Sequence, residues 1–268
     1  MKSHGLYFLL ACIALVGCRH PAGKPLFQLM SPAATGVAFQ NQLNERKLNI
    51  VQYLYYYNGG GVAVADVNRD GLEDIFFTGN EVGHFLYLNK GNFQFDDISA
   101  SAGVNQNKGD WSTGVTICDV NMDGWVDFYV CQVGDYKGVK GHNLLYVNQG
   151  DLTFMEQSAQ YGLDFSGFST QAVFFDYDRD GDQDVYLLNH SVHQVANYGP
   201  SSLRQEVDPK SGDRLFERVE EGGRVFFRDV TQSAGIWSSS IGYGLGVVAT
   251  DVNQDGWLDL YVSNDFHE

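Results

Sequence analysis

"DVNRDGLED" spans residues 66–74 and sets Asp66, Asn68, Asp70 and Asp74 at alternate positions around one glycine, Gly71. Crowding like charges into so short a turn is unfavourable unless a cation shares it. The chain repeats the device as "DVNMDGWVD" (119–127), "DYDRDGDQD" (176–184) and "DVNQDGWLD" (251–259). Each copy sits between two apolar runs. "GGVAVAD", "TGVTICD", "QAVFFD" and "GVVATD" lead in, and "DIFFTGN", "DFYVCQV", "DVYLLNH" and "DLYVSND" lead out. A third arm follows ("FLYLNKG", "NLLYVNQG" and a worn "DRLFERV"). A fourth closes the unit ("FQFDDISASAGV", "LTFMEQSAQYGL", "VFFRDVTQSAGI"). These arms are rich in β-branched and aromatic residues and punctuated by Gly and Asn, as short strands are.

A four-stranded unit recurring about every 50 residues is the pattern of a propeller blade. The expected fold is therefore all-β, a β-propeller of four-stranded blades that is incomplete in this chain. Three units are whole, and the fourth stops after its second strand at "NDFHE". Upstream, "TGVAFQN" (35–41) and "IVQYLYYY" (50–57) read as further strands. A polar insertion at 190–211 stretches the third unit and reads as a surface loop. The repeats then occupy 35–268, about three and a half blades.

Counting from the first Asp, positions 1, 3, 5 and 9 supply side-chain oxygens. They are Asp66, Asn68, Asp70, Asp74; Asp119, Asn121, Asp123, Asp127; Asp176, Asp178, Asp180, Asp184; and Asp251, Asn253, Asp255, Asp259. Position 6 is always Gly, which a sharp turn needs. Position 7 is Leu72, Trp125, Asp182 or Trp257, a variety that fits donation through the backbone carbonyl. An all-oxygen set selects Ca²⁺ over zinc or copper, and over Mg²⁺ with its smaller, wetter shell. Up to four Ca²⁺ are expected. An EF-hand begins alike but closes with Glu at position 12. Here position 12 is Phe77, Val130, Leu187 or Val262, so that reading fails.

The net charge of −16 argues against nucleic acid as a partner and suits cation binding; four dications would halve it. Fifteen Tyr, 18 Phe and 31 Gly against 5 Pro accord with many strands and tight turns. Cys118 and Cys131 flank the second loop. If residue 118 pairs with 128, the offset between the cysteines is odd and their side chains take opposite faces. Two buried free thiols are expected.

Over residues 58–268, the loop and its strands resemble the FG-GAP/VCBS repeat, the calcium-loop propeller repeat shared with integrin α chains. "NGGGVAVADVNRDGLEDIFFTGN" followed by "FLYLNKGNFQFDDISASAGV" is similar to the ASPIC/UnbV and cartilage acidic protein subgroup. The resemblance implies a Ca²⁺-loaded propeller with the loop between strands one and two of each blade. It assigns the metal roles to the residues above. The Phe-Gly and Gly-Ala-Pro strings that name the repeat are absent, which places the kinship with the VCBS-like branch. No ASPIC/UnbV domain is visible, which points to an N-terminal fragment.

The N-terminus reads as an export signal: Lys2, then the apolar "LYFLLACIALVG", too short to span a bilayer. "LVGC" (15–18) resembles a bacterial lipobox. That implies a signal peptide over 1–17, lipidation of Cys18 and a tether over 18–34. The expected location is the bacterial cell envelope, at the outer membrane, held by lipid alone.

Other constellations carry less. His190 and His193 open the insertion with no third metal ligand nearby. "GYGLG" (242–246) leads into a strand rather than a helix, so close packing fits it better than phosphate binding. Trp125 and Trp257 are placed either to pack on the next blade or to stack on a sugar or protein. "YLYYY" is either core or a sticky patch. No GxSxG, HExxH or phosphate-loop motif is present. The expected function is a calcium-binding surface lipoprotein module that presents a propeller face to a protein or glycan. The alternatives are a calcium-stabilised propeller enzyme acting on envelope or extracellular polysaccharide, and a solenoid-like adhesin without ring closure.

Overall fold

The computed structural model describes residues 26–105, 110–192 and 201–265. The lipobox with Cys18, and His193, lie outside them. Fourteen strands occur among the described residues. β1 (Val62–Ala65), β2 (Asp74–Phe77), β3 (Phe85–Asn89) and β4 (Phe95–Asp97) form one antiparallel sheet in sequence order. β5 (Trp111–Cys118), β6 (Asp127–Val133), β7 (Leu144–Asn148) and β8 (Phe154–Glu156) form the second. β9 (Ser169–Phe175), β10 (Asp184–Asn189), β11 (Arg214–Glu221) and β12 (Arg224–Asp229) form the third. β13 (Gly244–Thr250) and β14 (Asp259–Asn264) begin a fourth.

The sheets stack face to face because their middle strands are apolar on both sides. On β6, Phe128 and Val130 pack with Phe76 and Leu86 of the first sheet. The alternate Tyr129 and Cys131 pack with Val185, Leu187 and Phe216 of the third. The far face of the third sheet, through Tyr186, Leu188 and Leu215, meets Val247 and Val262 of the fourth. Threonines beside the first strands stitch neighbours together. Thr78 Oγ1 donates to the Thr113 carbonyl (2.7 Å), Thr113 Oγ1 to Ser169 (2.7 Å) and Thr170 Oγ1 to Gly244 (3.1 Å). A Cβ on Gly114 would lie 2.3 Å from the Thr170 carbonyl oxygen, so glycine sets the closest approach there. Gly244 likewise presses on Leu188, as the packing reading of "GYGLG" expects. This is a partial propeller. Among the described residues the ring does not close: Val62 and Val64 on the first sheet, and Val248 and Tyr261 on the fourth, remain exposed.

Two expected strands are absent. Residues 35–41 follow a four-residue helix, Pro32–Thr35, that Gly36 ends with φ 81°. The chain then lays Phe39 on Phe77 (centroids 4.8 Å apart) without strand pairing. Residues 50–57 form successive turns. The N–H groups of Tyr53 and Tyr56 donate to Asn49 and Tyr53 carbonyls, which uses backbone groups a strand would offer a neighbour. Tyr53, Tyr55 and Tyr56 are core: with Trp111, Phe168 and Tyr243 they plug the end of the stack opposite the Asp-rich loops.

Cys118 and Cys131 do not take the opposite faces expected of them. Cys118 pairs with Asp127, not with residue 128. Asp127, Tyr129 and Cys131 alternate onto one face of β6, so both cysteines share a face and a core. They are nonetheless free and buried. Four residues along a strand separate them by about 13 Å, beyond disulfide reach.

Candidate metal centre

The four Asp-rich loops join β1–β2, β5–β6, β9–β10 and β13–β14, so stacking aligns them along one rim. The turn is built by its own acids. In the first loop Asp66 accepts from the N–H of Asp70 (3.1 Å) and of Gly71 (2.7 Å), and Asp70 accepts from Leu72 (2.8 Å). The second and fourth loops repeat these bonds with Asp119, Asp123, Asp251 and Asp255. Position 6 is left-handed throughout (Gly71 84°, Gly124 81°, Gly181 97°, Gly256 86°). Position 4 is left-handed too, at Arg69, Met122, Arg179 and Gln254 (φ 59–67°), which no glycine advertised.

Position 9 does more than close the loop. Asp74 is buried, and its two oxygens accept from Val67 N–H (2.9 Å) and from Asn89 N–H on β3 (2.7 Å). Asp127 braces Val120 and Asn148 in the same way, and Asp184 braces Tyr177 and Arg218. Burial pushes Asp127 up to about 7 and Asp184 up to about 6, against the backbone bonds that favour their charge. Burial raises Asp74 and Asp178 as well, with neighbouring aspartates adding to it. A cation among them would relieve this cost.

The third loop gathers three of its four predicted side-chain donors, Asp180 standing outside the group. One carboxylate oxygen from each of Asp176, Asp178 and Asp184 lies within 4.8 Å of the others. Oxygens held about 2.4 Å from one Ca²⁺ can be at most about 5 Å apart, so the three fit a single hard dication. In the other loops the amide at position 3 donates to the position-5 carboxylate instead: Asn68 to Asp70 (3.0 Å), Asn121 to Asp123 (2.8 Å), Asn253 to Asp255 (2.9 Å). The third loop also holds a cation of its own. Arg218, 6% exposed, pairs with Asp182 at 2.9 Å.

Contacts between loops escape a reading of each loop alone. Arg69 lies over the Trp125 ring of the next loop, 4.0 Å from its centroid, and Arg179 over Trp257 at 4.9 Å. Asn148 Nδ2 donates back to the Val67 carbonyl (3.0 Å), and Arg218 Nε to Val120 (3.4 Å). The signal was an Arg at position 4 wherever the following loop has Trp at position 7. Away from this rim, a cleft of about 510 Å³ runs beside the first strands, lined by Tyr55, Gly60, Trp111, Gly114 and Gln171. His190 lines it, buried, with Nε2 2.9 Å from the Tyr53 hydroxyl.

The FG-GAP-like repeat family matches residues 66–130, one full period from the first loop into β6. Cartilage acidic protein 1 of Mus musculus is 28% identical over 214 residues, covering 78% of this chain and 29% of that protein. The Homo sapiens protein is 27% identical over 209 residues (78% and 28%). The Xenopus tropicalis protein is 30% identical over 211 residues (78% and 29%). The chain thus spans less than a third of the length of these relatives. Matched repeat, stacked four-stranded sheets and aligned acidic turns agree that residues 66–130 carry an FG-GAP-like repeat.

Proposed function

We propose that this protein is a calcium-binding surface module whose loaded loops stiffen a propeller face for binding a protein or glycan. The observation that carries the reading is the convergence of Asp176, Asp178 and Asp184 within 4.8 Å, in a loop recurring in register along the rim. The ligands in each loop would be positions 1, 3, 5 and 9 with the position-7 carbonyl. The ion would supply positive charge where burial and crowding disfavour the carboxylates. The chain's own residues do the rest. Glycines at position 6 turn the backbone, and the position-9 acids tie each loop to its sheet. Arg69 and Arg179 join neighbouring loops. A lipid on Cys18 would hold the module at the cell envelope, its membrane contact being the anchor alone.

A ligand that binds only the folded state stabilises it by about 4 kcal/mol per site at a thousandfold excess over its Kd. Thermal unfolding in millimolar calcium and in chelator tests this. The expected outcome is a midpoint many degrees higher with calcium; superimposable curves would refute the reading.

A further inference from the structure

We infer that a cavity of about 910 Å³ beside the outer strands of the third sheet is a binding site for a neutral saccharide. It lies at the start of β11 and the end of β12, the opposite end of the sheet from the Asp-rich loop. One wall is the 3₁₀ turn Ser201–Gln205 and the residues after it, an insertion that the first two units lack. The other wall is the segment after β12, carrying Trp237.

Trp237 is 65% exposed, yet its ring is not free to turn: Nε1 donates to the Arg204 carbonyl at 2.6 Å. An indole pinned by its polar edge with its face open is a preformed stacking plate. The first two units have Asn105 and Asp164 at the same place, directly after Val104 and Leu163. Those residues and Ile236 hold equivalent positions, so the repeat itself does not require the tryptophan. Glu206, Gln232 and Ser238 surround the plate with hydrogen-bonding groups.

Charge selects among ligands. Arg214 and Asp229 are already paired at 2.7 Å, and Arg204 stands on the same wall as Glu206. Two charges of each sign leave the lining with no net charge to select an ion. An aromatic plate ringed by planar polar side chains suits a sugar ring, with an apolar face and hydroxyls around it. The volume falls in the ordinary range for small-ligand sites and holds two or three sugar units. The inference rests on the surface-binding half of the proposed function and not on calcium, since the two sites lie at opposite ends of the sheet.

The test titrates the calcium-loaded chain with cellotriose, maltotriose and triacetylchitotriose, following tryptophan emission and calorimetric heat up to about 10 mM. Deca-proline serves as counter-probe, because an exposed tryptophan also suits a polyproline helix. The expected result is saturable binding of at least one trisaccharide, weakened at least tenfold in Trp237→Ala and unchanged in Tyr261→Ala, an exposed aromatic on the fourth sheet. Trp237→Phe, which keeps a plate but loses the Arg204 bond, should fall between. Three results would overturn the inference: no saturable binding of any trisaccharide, binding indifferent to Trp237→Ala, or Trp237-dependent binding of deca-proline alone. Calcium-dependent melting with no sugar binding removes this inference only; sugar binding with chelator-insensitive melting removes only the calcium reading.

Discussion

Each loop places two residues in left-handed backbone, and only one of them is a glycine. Gly124→Ala would force a Cβ to within 2.6 Å of Arg69 Nη2 at φ 81°. It should cost about 1–2 kcal/mol by urea unfolding. Met122, exposed and at φ 59°, offers the reverse. Met122→Gly should leave stability level or raise it by up to about 1 kcal/mol, the αL penalty outweighing the added chain entropy. Equivalence between units gives a sharper case. His84, Asn143 and Asp213 each stand one residue before the third strand, all buried or nearly so. Asn143 accepts from Gln132 N–H (2.8 Å) and donates to the Tyr129 hydroxyl (3.0 Å). Asp213 accepts from Asn189 N–H and from the Tyr186 hydroxyl (2.8 Å each), and burial pushes it up to about 6. A raised carboxyl pKa favours folding at low pH. That contribution is lost as pH rises from about 4 to about 6, where the unfolded chain ionises first. Asp213→Asn, which recreates the Asn143 pattern, should therefore be more stable than the parent by about 2–3 kcal/mol at pH 7 and equal to it below pH 4. A flat difference between pH 4 and 7 would contradict this.

At the scale of elements, the strand pairs around each loop were legible because period, glycine and acid spacing all agreed. "DRLFERV" was worn, yet it forms β11, since Phe216 still faces Val185 across the sheet. Illegible were 35–41 and 50–57, where aromatic content imitates strands but turns take the backbone bonds. The cysteine parity failed by one residue of register, which composition cannot supply. Links between loops were equally hidden, because they join residues about 55 positions apart, such as Arg69 and Trp125. A double-mutant cycle on Arg69→Ala and Trp125→Ala should give a coupling of about 0.5–1 kcal/mol, as exposed cation–π pairs do. Arg69 with Trp257, in loops three sheets apart, should give none.

Across the whole molecule, the sheets lean on one another through shared cores while the loops hold a row of acids along one rim. The acid positions of the candidate site were readable from sequence alone. Their state was not: three loops bond their asparagine to a neighbouring carboxylate, and among the described residues the third brings three carboxylates within 4.8 Å of one another. Asp178 puts a carboxylate at position 3, where the other loops carry an amide, and one of its oxygens lies with those of Asp176 and Asp184. The most direct test of the account is a calcium titration by calorimetry, comparing the parent chain with one carrying Asp176→Asn, Asp178→Asn and Asp184→Asn. The account predicts saturable uptake by the parent and one ion fewer in the variant. No uptake by the parent, or undiminished uptake by a folded variant, would contradict it.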